Sequence, residues 1–309
     1  MSPAPSAPES TTPADRFARW RRFTRPVLIA NLVAQIGIIV TGGAVRLTGS
    51  GLGCSTWPQC EPGHFTPQFH EATSIHPYVE FGNRTLTGVL TVIALAVALL
   101  VFTDRTRAAS YRRLGLAPLV LVAVQAVVGG VTVLLDLDPA VVGVHFLISA
   151  GLVALSTVLL YRHGEGDGGP VAAVGSVDRR LVWLLTALVV PVVALGVLVT
   201  GSGPHGGDDE VAYRFALDPA RMTQAHAASV WVFVLVLIVI AVRAWRHGAP
   251  APVRRAIVVL ALVTLAQGAI GYVQYFTGLP EVLVGLHMLG AALLVAATTW
   301  LLMTTRVRA

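Results

Sequence analysis

The sequence predicts an all-α fold: a polytopic membrane protein whose eight transmembrane helices form two duplicated four-helix bundles. Three observations predict it. Apolar runs of roughly 20 residues, enough to cross a bilayer, lie near 25–45, 77–102, 115–135, 140–161, 181–200, 223–243, 255–277 and 282–304. The chain is 55% hydrophobic and only 12% charged, with a mean hydropathy of +0.72, whereas a soluble domain carries about twice that charged fraction. Finally, the stretch 125–145 returns at 267–287: Gln125 falls on Gln267, Gly129 on Gly271, Gly143 on Gly285 and His145 on His287, with no gap. Each copy reads as apolar helix, short turn, apolar helix, with a histidine about two turns into the second helix, which is the signature of a duplicated unit.

The elements follow in order. Residues 1–22 form a cytoplasmic tail whose start is rich in Pro, Ser, Thr and Ala, a composition that favours disorder. The tail lacks the layout of a cleaved signal peptide. Residues 23–162 hold the first four helices. The loop after the first helix, Thr48-Gly-Ser-Gly-Leu-Gly-Cys54 through Cys60, carries both cysteines of the chain. In an oxidising compartment a disulfide is the expected state of Cys54 and Cys60; a metal pair or two free thiols are the alternatives. Residues 163–179 are a Gly-rich cytoplasmic linker, without the Lys-Ser/Thr ending of a phosphate-binding loop. Residues 180–309 hold the last four helices, and Thr200-Gly-Ser-Gly echoes Thr48-Gly-Ser-Gly just after the first of them. Asp208, Asp209 and Glu210 in the following loop read as a solvated acidic turn.

The net charge of +6 does not imply a nucleic-acid partner. All 22 basic residues are arginine. Most cluster in the tail and in the segments after the second, fourth, sixth and eighth helices. Only Arg46, Arg84, Arg214 and Arg221 fall elsewhere. By the positive-inside rule this places both termini in the cytoplasm and the chain in the cell membrane.

Four repeat-related positions carry the chemistry. His226 precedes His287 by 61 positions; Pro139 and Pro280 miss each other by one position in the repeat, and counting back 62 from His145 with that same one-residue offset lands on Asn83. All four lie in the first turns of helices entering from outside, hence at one depth. Paired histidines at matched depth on neighbouring membrane helices hold a haem iron from both sides. A single intramembrane histidine is more simply a hydrogen-bonded packing residue, but a repeat-related pair points to ligation, since ionisable groups in a membrane are costly. The N-terminal half breaks the symmetry. His145 is present, Asn83 replaces the second histidine, and His76, Glu80 and Asn83 share one helix face. Glu80 reads either as a reactive carboxylate or as the structural partner of Arg84.

These residues resemble the haem A synthase family, in an actinobacterial-like variant. The resemblance rests on Thr41-Gly-Gly-Ala-Val-Arg-Leu-Thr-Gly-Ser-Gly-Leu-Gly-Cys54 with Cys60, on Glu80-Phe-Gly-Asn-Arg84 and His145-Phe, and on Thr200-Gly-Ser-Gly-Pro-His205, His226 and His287. It spans nearly the whole chain. It implies an oxidoreductase that converts the C8 methyl of haem O to a formyl group, giving haem A for a-type cytochrome oxidases. It further implies a haem b cofactor between His226 and His287, and substrate haem O in the N-terminal half with His145, Asn83, Arg84 and His76. Glu80 would be the catalytic carboxylate and Cys54–Cys60 the cysteine pair. Partners would be the farnesyltransferase that makes haem O, an electron donor or acceptor, and membrane lipid. The family pattern is Glu-x-x-His-Arg, so Asn83 departs from it, and the second cysteine pair of some members is absent.

Two other classes fit part of the pattern. A b-type cytochrome that only transfers electrons would use His226 and His287 but leaves Glu80 unexplained. A duplicated transporter would suit the repeat, yet a four-helix unit gives two halves of the same orientation.

Overall fold

The computed structural model describes residues 15–68, 74–208, 210, 211 and 213–308; most of the N-terminal tail and Asp209 of the acidic turn lie outside them. After a 3-10 turn over Asp15–Phe23 the long helices are α1 (Thr24–Leu47), α2 (His76–Phe102), α4 (Ala117–Leu134), α5 (Pro139–His163), α6 (Ser176–Ser202), α7 (Pro219–Arg246), α8 (Ala251–Phe276) and α9 (Glu281–Thr304). All eight are long and apolar enough to cross a membrane. Their outer faces are as apolar as a lipid environment requires: Val33, Val92 and Leu265 are at least 62% exposed. A soluble protein rarely leaves so much contiguous apolar surface uncovered.

Several helices extend beyond the apolar runs that predict them, α6 by a full turn at its start. Hydropathy falls where a helix enters the headgroup region, but its hydrogen bonding continues there. Helices α5 and α7 both begin at Asp-Pro. The Asp138 carboxylate accepts from the N–H groups of Ala140 and Val141, and that of Asp218 from Ala220 and Arg221. Such a cap is worth about 1 kcal/mol, and proline at the first helical position loses nothing because its missing N–H would be unpaired there. These starts fix where His145 and His226 lie, two turns further on. Pro191 sits inside α6 without ending it.

Besides the 3-10 turn in the tail, a short helix and a strand pair lie outside the sequence-based expectation. A short helix, α3 (Ala109–Leu114), precedes α4, and the chain breaks at Gly115, where a Cβ would strike the Val101 side chain. The Gly-rich connection between α5 and α6 is also tied down. Its strand β1 (Val171–Ala172) pairs antiparallel with β2 (Arg306–Val307).

The helices pack in two rings. In the first, α1 contacts α2, α2 contacts α4, α4 contacts α5 and α5 returns to α1; in the second, α6, α7, α8 and α9 follow one another and α9 returns to α6. Helices α2 and α5 are thus diagonal in one ring, and α7 and α9 in the other. The rings meet through α1 and α5 against α9 and α5 against α6. The largest buried cluster, with Leu185, Phe233, Ile257, Leu260 and Leu301, fills the second ring and reaches Ile39 and Val153 of the first. The first ring's own buried residues fall into two smaller groups, Leu28, Val97, Val101, Tyr111 and Leu159, and Leu90, Ala94 and Val122.

Candidate functional site

In the second ring, His226 on α7 and His287 on α9 face each other across the diagonal, with ring centroids 6.4 Å apart and planes at 76°. Each ring lies over a glycine. A Cβ on Gly196 of α6 would sit 3.4 Å from His226 Cε1, and one on Gly271 of α8 would sit 3.1 Å from His287 Cε1. His226 Nδ1 is 3.0 Å from the Val192 carbonyl oxygen. A carbonyl only accepts, so Nδ1 carries the proton and Nε2 keeps a bare lone pair, the arrangement typical of a metal-ligating histidine. His287 Nδ1 is buried without a hydrogen-bond partner, and leaving such an atom unpaired costs about 1–3 kcal/mol. The pair fits a haem iron. Imidazole nitrogens bound about 2 Å from a metal on its two sides set their ring centres roughly 6 Å apart.

The first ring repeats part of this. His145 on α5 lies over Gly129 of α4, whose Cβ would be 3.2 Å from His145 Cε1, and its Nδ1 too is buried without a partner. Gln125 Nε2 donates to the His145 carbonyl at 3.0 Å, as Gln267 Nε2 donates to the His287 carbonyl at 2.8 Å. On the diagonal helix α2, however, Asn83 is held by α1: its amide oxygen accepts from the Thr41 hydroxyl at 2.8 Å.

Around Asn83 the α2 face serves the long loop that follows α1. Cys54 and Cys60 form a disulfide, not free thiols or a metal pair. Glu80, buried, accepts from the Cys54 N–H at 2.6 Å and pairs with Arg84. Arg84 in turn donates to the Thr56 and Gln59 carbonyls at 2.9 and 3.2 Å. His76 Nδ1 is 2.8 Å from the Ser50 hydroxyl, and Gly53 abuts the backbone of His76 and Pro77. The indole of Trp57 lies against Gly130 of α4, leaving no space for a Cβ there. The disulfide loop is therefore a cover, pinned at α2 by hydrogen bonds to Glu80, Arg84 and His76 and at α4 by the Trp57 indole.

Of the residues singled out from sequence, the structure brings together His226 with His287, and Glu80 with Arg84 and the disulfide loop. It does not bring His76 to Asn83's partners: His76 faces Ser50. Sequence reasoning missed Trp57, the Val192 carbonyl and the contact of Thr41 with Asn83. The Gly129-Gly130 pair was the available signal for Trp57, since a second glycine beside the one under His145 marks another close approach. Arg46, noted only as an isolated charge, joins the two rings. Its Nε donates to the His205 carbonyl at 2.7 Å and its Nη2 to the Thr200 carbonyl at 3.0 Å, at the end of α6. Gly51 N–H adds a bond to the Gly207 carbonyl at 2.7 Å. His205 Nε2 reaches the Leu279 carbonyl at 3.0 Å, so the second glycine-serine motif anchors the α8–α9 turn.

Residues 25–206 match the COX15-CtaA family model, described as cytochrome oxidase assembly protein. Among curated relatives, the chain is similar to proteins named heme A synthase. It is 35% identical to that of Bacillus pumilus over 126 residues, 40% of this chain and 39% of the relative. It is 27% identical to that of Alkalihalophilus pseudofirmus over 144 residues, 44% and 47%. With the Bacillus cereus protein the identity is 24% over 300 residues, 92% and 93%. The chain thus spans less than half the length of the first two relatives and nearly all of the third.

Proposed function

Because this chain belongs to the COX15-CtaA family of cytochrome oxidase assembly proteins, we propose that it is a haem A synthase, an oxidoreductase converting the C8 methyl of haem O to a formyl group. The observation that carries the reading is the facing pair His226 and His287, 6.4 Å between ring centres, beside a second site that keeps one of the two histidines. His226 and His287 would hold haem b, with the Val192 carbonyl fixing the His226 tautomer. Bound there, haem b supplies a one-electron relay next to the second site.

In the first ring, His145 would bind the substrate haem on one side. The amide of Asn83, a poor iron ligand beside imidazole, would leave the other side open. The Cys54–Cys60 loop, held by Glu80, Arg84 and Trp57, would exclude water above it. Glu80 is placed in this reading as the catalytic carboxylate, with Arg84 setting its orientation and charge. Both termini and the arginine-rich end would face the cytoplasm. The haem O-producing farnesyltransferase and a separate electron carrier would be the partners. The two rings would descend from one duplicated four-helix unit.

Expression beside a haem O-making enzyme, with extracted haems separated by chromatography and weighed by mass spectrometry, tests this. Haem A is the expected product. Haem b and unchanged haem O alone would reduce the protein to an electron-transfer cytochrome.

A further inference from the structure

At the end of the molecule opposite the disulfide loop, α1, α5, α8 and α9 leave a groove of about 750 Å³ between the two rings. Its walls are apolar, with Ile29, Leu32, Leu160, Val259, Leu293 and Trp300 among them. Its mouth is not: Arg25, Arg306 and Arg308 line it, and Glu165 lies beside them. The Glu165 carboxylate is almost buried, 7% exposed, and serves three guanidinium groups at once, with Nε–O separations of 3.0 Å to Arg162, 3.7 Å to Arg306 and 3.8 Å to Arg308. The last two exceed hydrogen-bond length, and Arg306 Nε and Arg308 Nε are buried without hydrogen-bond partners. Two further carboxylates at this end are engaged, Asp167 by Arg107 at 2.9 Å and Asp104 by Arg21 at 3.4 Å.

Three cations, Arg162, Arg306 and Arg308, thus share one carboxylate, and a fourth, Arg25, lines the same apolar slot. Excess charge at the edge of hydrocarbon is costly unless an anion neutralises it. The Nε of Arg306 and of Arg308 is turned to Glu165, and one terminal nitrogen of each is on Met303 Sδ or the Gly168 carbonyl; the remaining terminal nitrogens suit phosphate oxygens. The apolar slot directly below suits an acyl chain. Basic pockets between transmembrane helices on the arginine-rich side of a membrane protein are where anionic headgroups settle.

We propose that this groove is a specific site for one anionic phospholipid, its phosphate between Arg25 and the Arg306–Arg308 pair and an acyl chain against Trp300. The lipid joins α1 of the first ring to α9 of the second and to the β1–β2 pair, so it cements the halves at the end that Arg46 does not reach. This holds whatever reaction the protein performs.

The test is thermal unfolding of the full-length protein in detergent with added phosphatidylglycerol or phosphatidylcholine, with native mass spectrometry of retained lipid. At about a hundredfold excess over Kd, phosphatidylglycerol should raise the midpoint by about 5 °C, and phosphatidylcholine should not. The triple variant Arg25→Gln, Arg306→Gln, Arg308→Gln should lose the difference, whereas Arg254→Gln with Arg255→Gln, two exposed cations at the start of α8, should keep it. If the triple variant does not fold, Ala296→Phe, which fills the slot and leaves the arginines intact, should abolish lipid retention. Equal stabilisation by both lipids, or an undiminished difference in the triple variant or in Ala296→Phe, would overturn the proposal. So would stabilisation by an uncharged prenyl alcohol in place of phosphatidylglycerol, which would assign the groove to an isoprenoid chain.

Discussion

The two four-helix rings set the same backbone features around two different sites. Each has a histidine two turns into its last helix, resting on a glycine of the preceding helix and bonded through its carbonyl to a glutamine one helix back. The second ring adds a facing histidine and one continuous buried core. The first ring has Asn83 on the facing helix, two separated core clusters, and a disulfide-bonded cover. Closed ligation from both sides suits a group that stays and passes electrons. Under the proposed reading, one-sided ligation beneath the disulfide-bonded loop would suit a group that enters, reacts and leaves. The difference lies in the residue facing the histidine, in the loop and in how the core is divided.

The comparison breaks most visibly at the histidines. His226→Ala or His287→Ala should remove the low-spin haem b spectrum, with haem retention down at least about tenfold, since loss of an outer hydrogen bond to a ligand alone costs 10–100-fold. The protein should still insert in the membrane. An unaltered spectrum in both variants would end the assignment. The reverse change, Asn83→His, should make the first ring resemble the second, giving a second bis-histidine signal and less product. A spectrum identical to wild type would mean that Asn83 does not face the substrate haem.

Glu80 comes next, and here the structure sharpens the choice. Its carboxylate is engaged by Arg84 and by the Cys54 N–H, so it anchors the cover whatever else it does. Glu80→Gln keeps the shape and removes the charge and the proton chemistry, and turnover should fall by roughly 10²-fold or more with the haem b spectrum intact. Arg84→Gln loosens the same cover but leaves a carboxylate. If Glu80 acts on substrate, Arg84→Gln should retain clearly more activity than Glu80→Gln. Equal losses would assign Glu80 to the cover alone.

Much of this was legible beforehand, for physical reasons. Membrane thickness forces about 20 apolar residues per span, so the spans could be counted, and a histidine in such a span must have a partner or a job. The Gln125–His145 and Gln267–His287 spacings fixed depth within helices. What periodicity cannot give is which backbone atom faces a side chain. The Val192 carbonyl under His226 and the Thr200 and His205 carbonyls under Arg46 carry no residue-specific signal. The linker looked featureless because Gly-rich composition describes a free chain, whereas two residues of β pairing with Arg306–Val307 hold it in place. Helix α3 hid inside a charged stretch where hydropathy sees only a loop.

The disulfide tests whether the cover matters to the first ring alone. Its cysteines are six positions apart, and closing so short a loop contributes about 2 kcal/mol in the chain-entropy model. Unreduced protein should show no alkylatable thiols by mass. Cys54→Ser with Cys60→Ser should lower turnover and speed proteolysis of the loop near Trp57, without touching the haem b spectrum. A shifted haem b spectrum would show that the two sites share the cover.

The smallest expected effect is the finest test, because it acts on three equivalent contacts of graded tightness. A Cβ on Gly271 would sit 3.1 Å from His287 Cε1, one on Gly129 3.2 Å from His145 Cε1, and one on Gly196 3.4 Å from His226 Cε1. The first two require the ring to yield by a few tenths of an ångström; the third is ordinary contact. Overpacking of this kind typically costs 1–3 kcal/mol where neighbours cannot move, and a ligand ring moves by tilting. Gly271→Ala should therefore change the electron paramagnetic resonance signal of haem b and lower its retention severalfold, and Gly196→Ala should leave both close to wild type. Gly129→Ala should leave haem b untouched and act only on substrate, raising KM more than it lowers kcat if His145 positions the incoming haem. Were Gly129→Ala to alter the haem b signal while Gly271→Ala did not, the resident and substrate sites would have been assigned to the wrong rings.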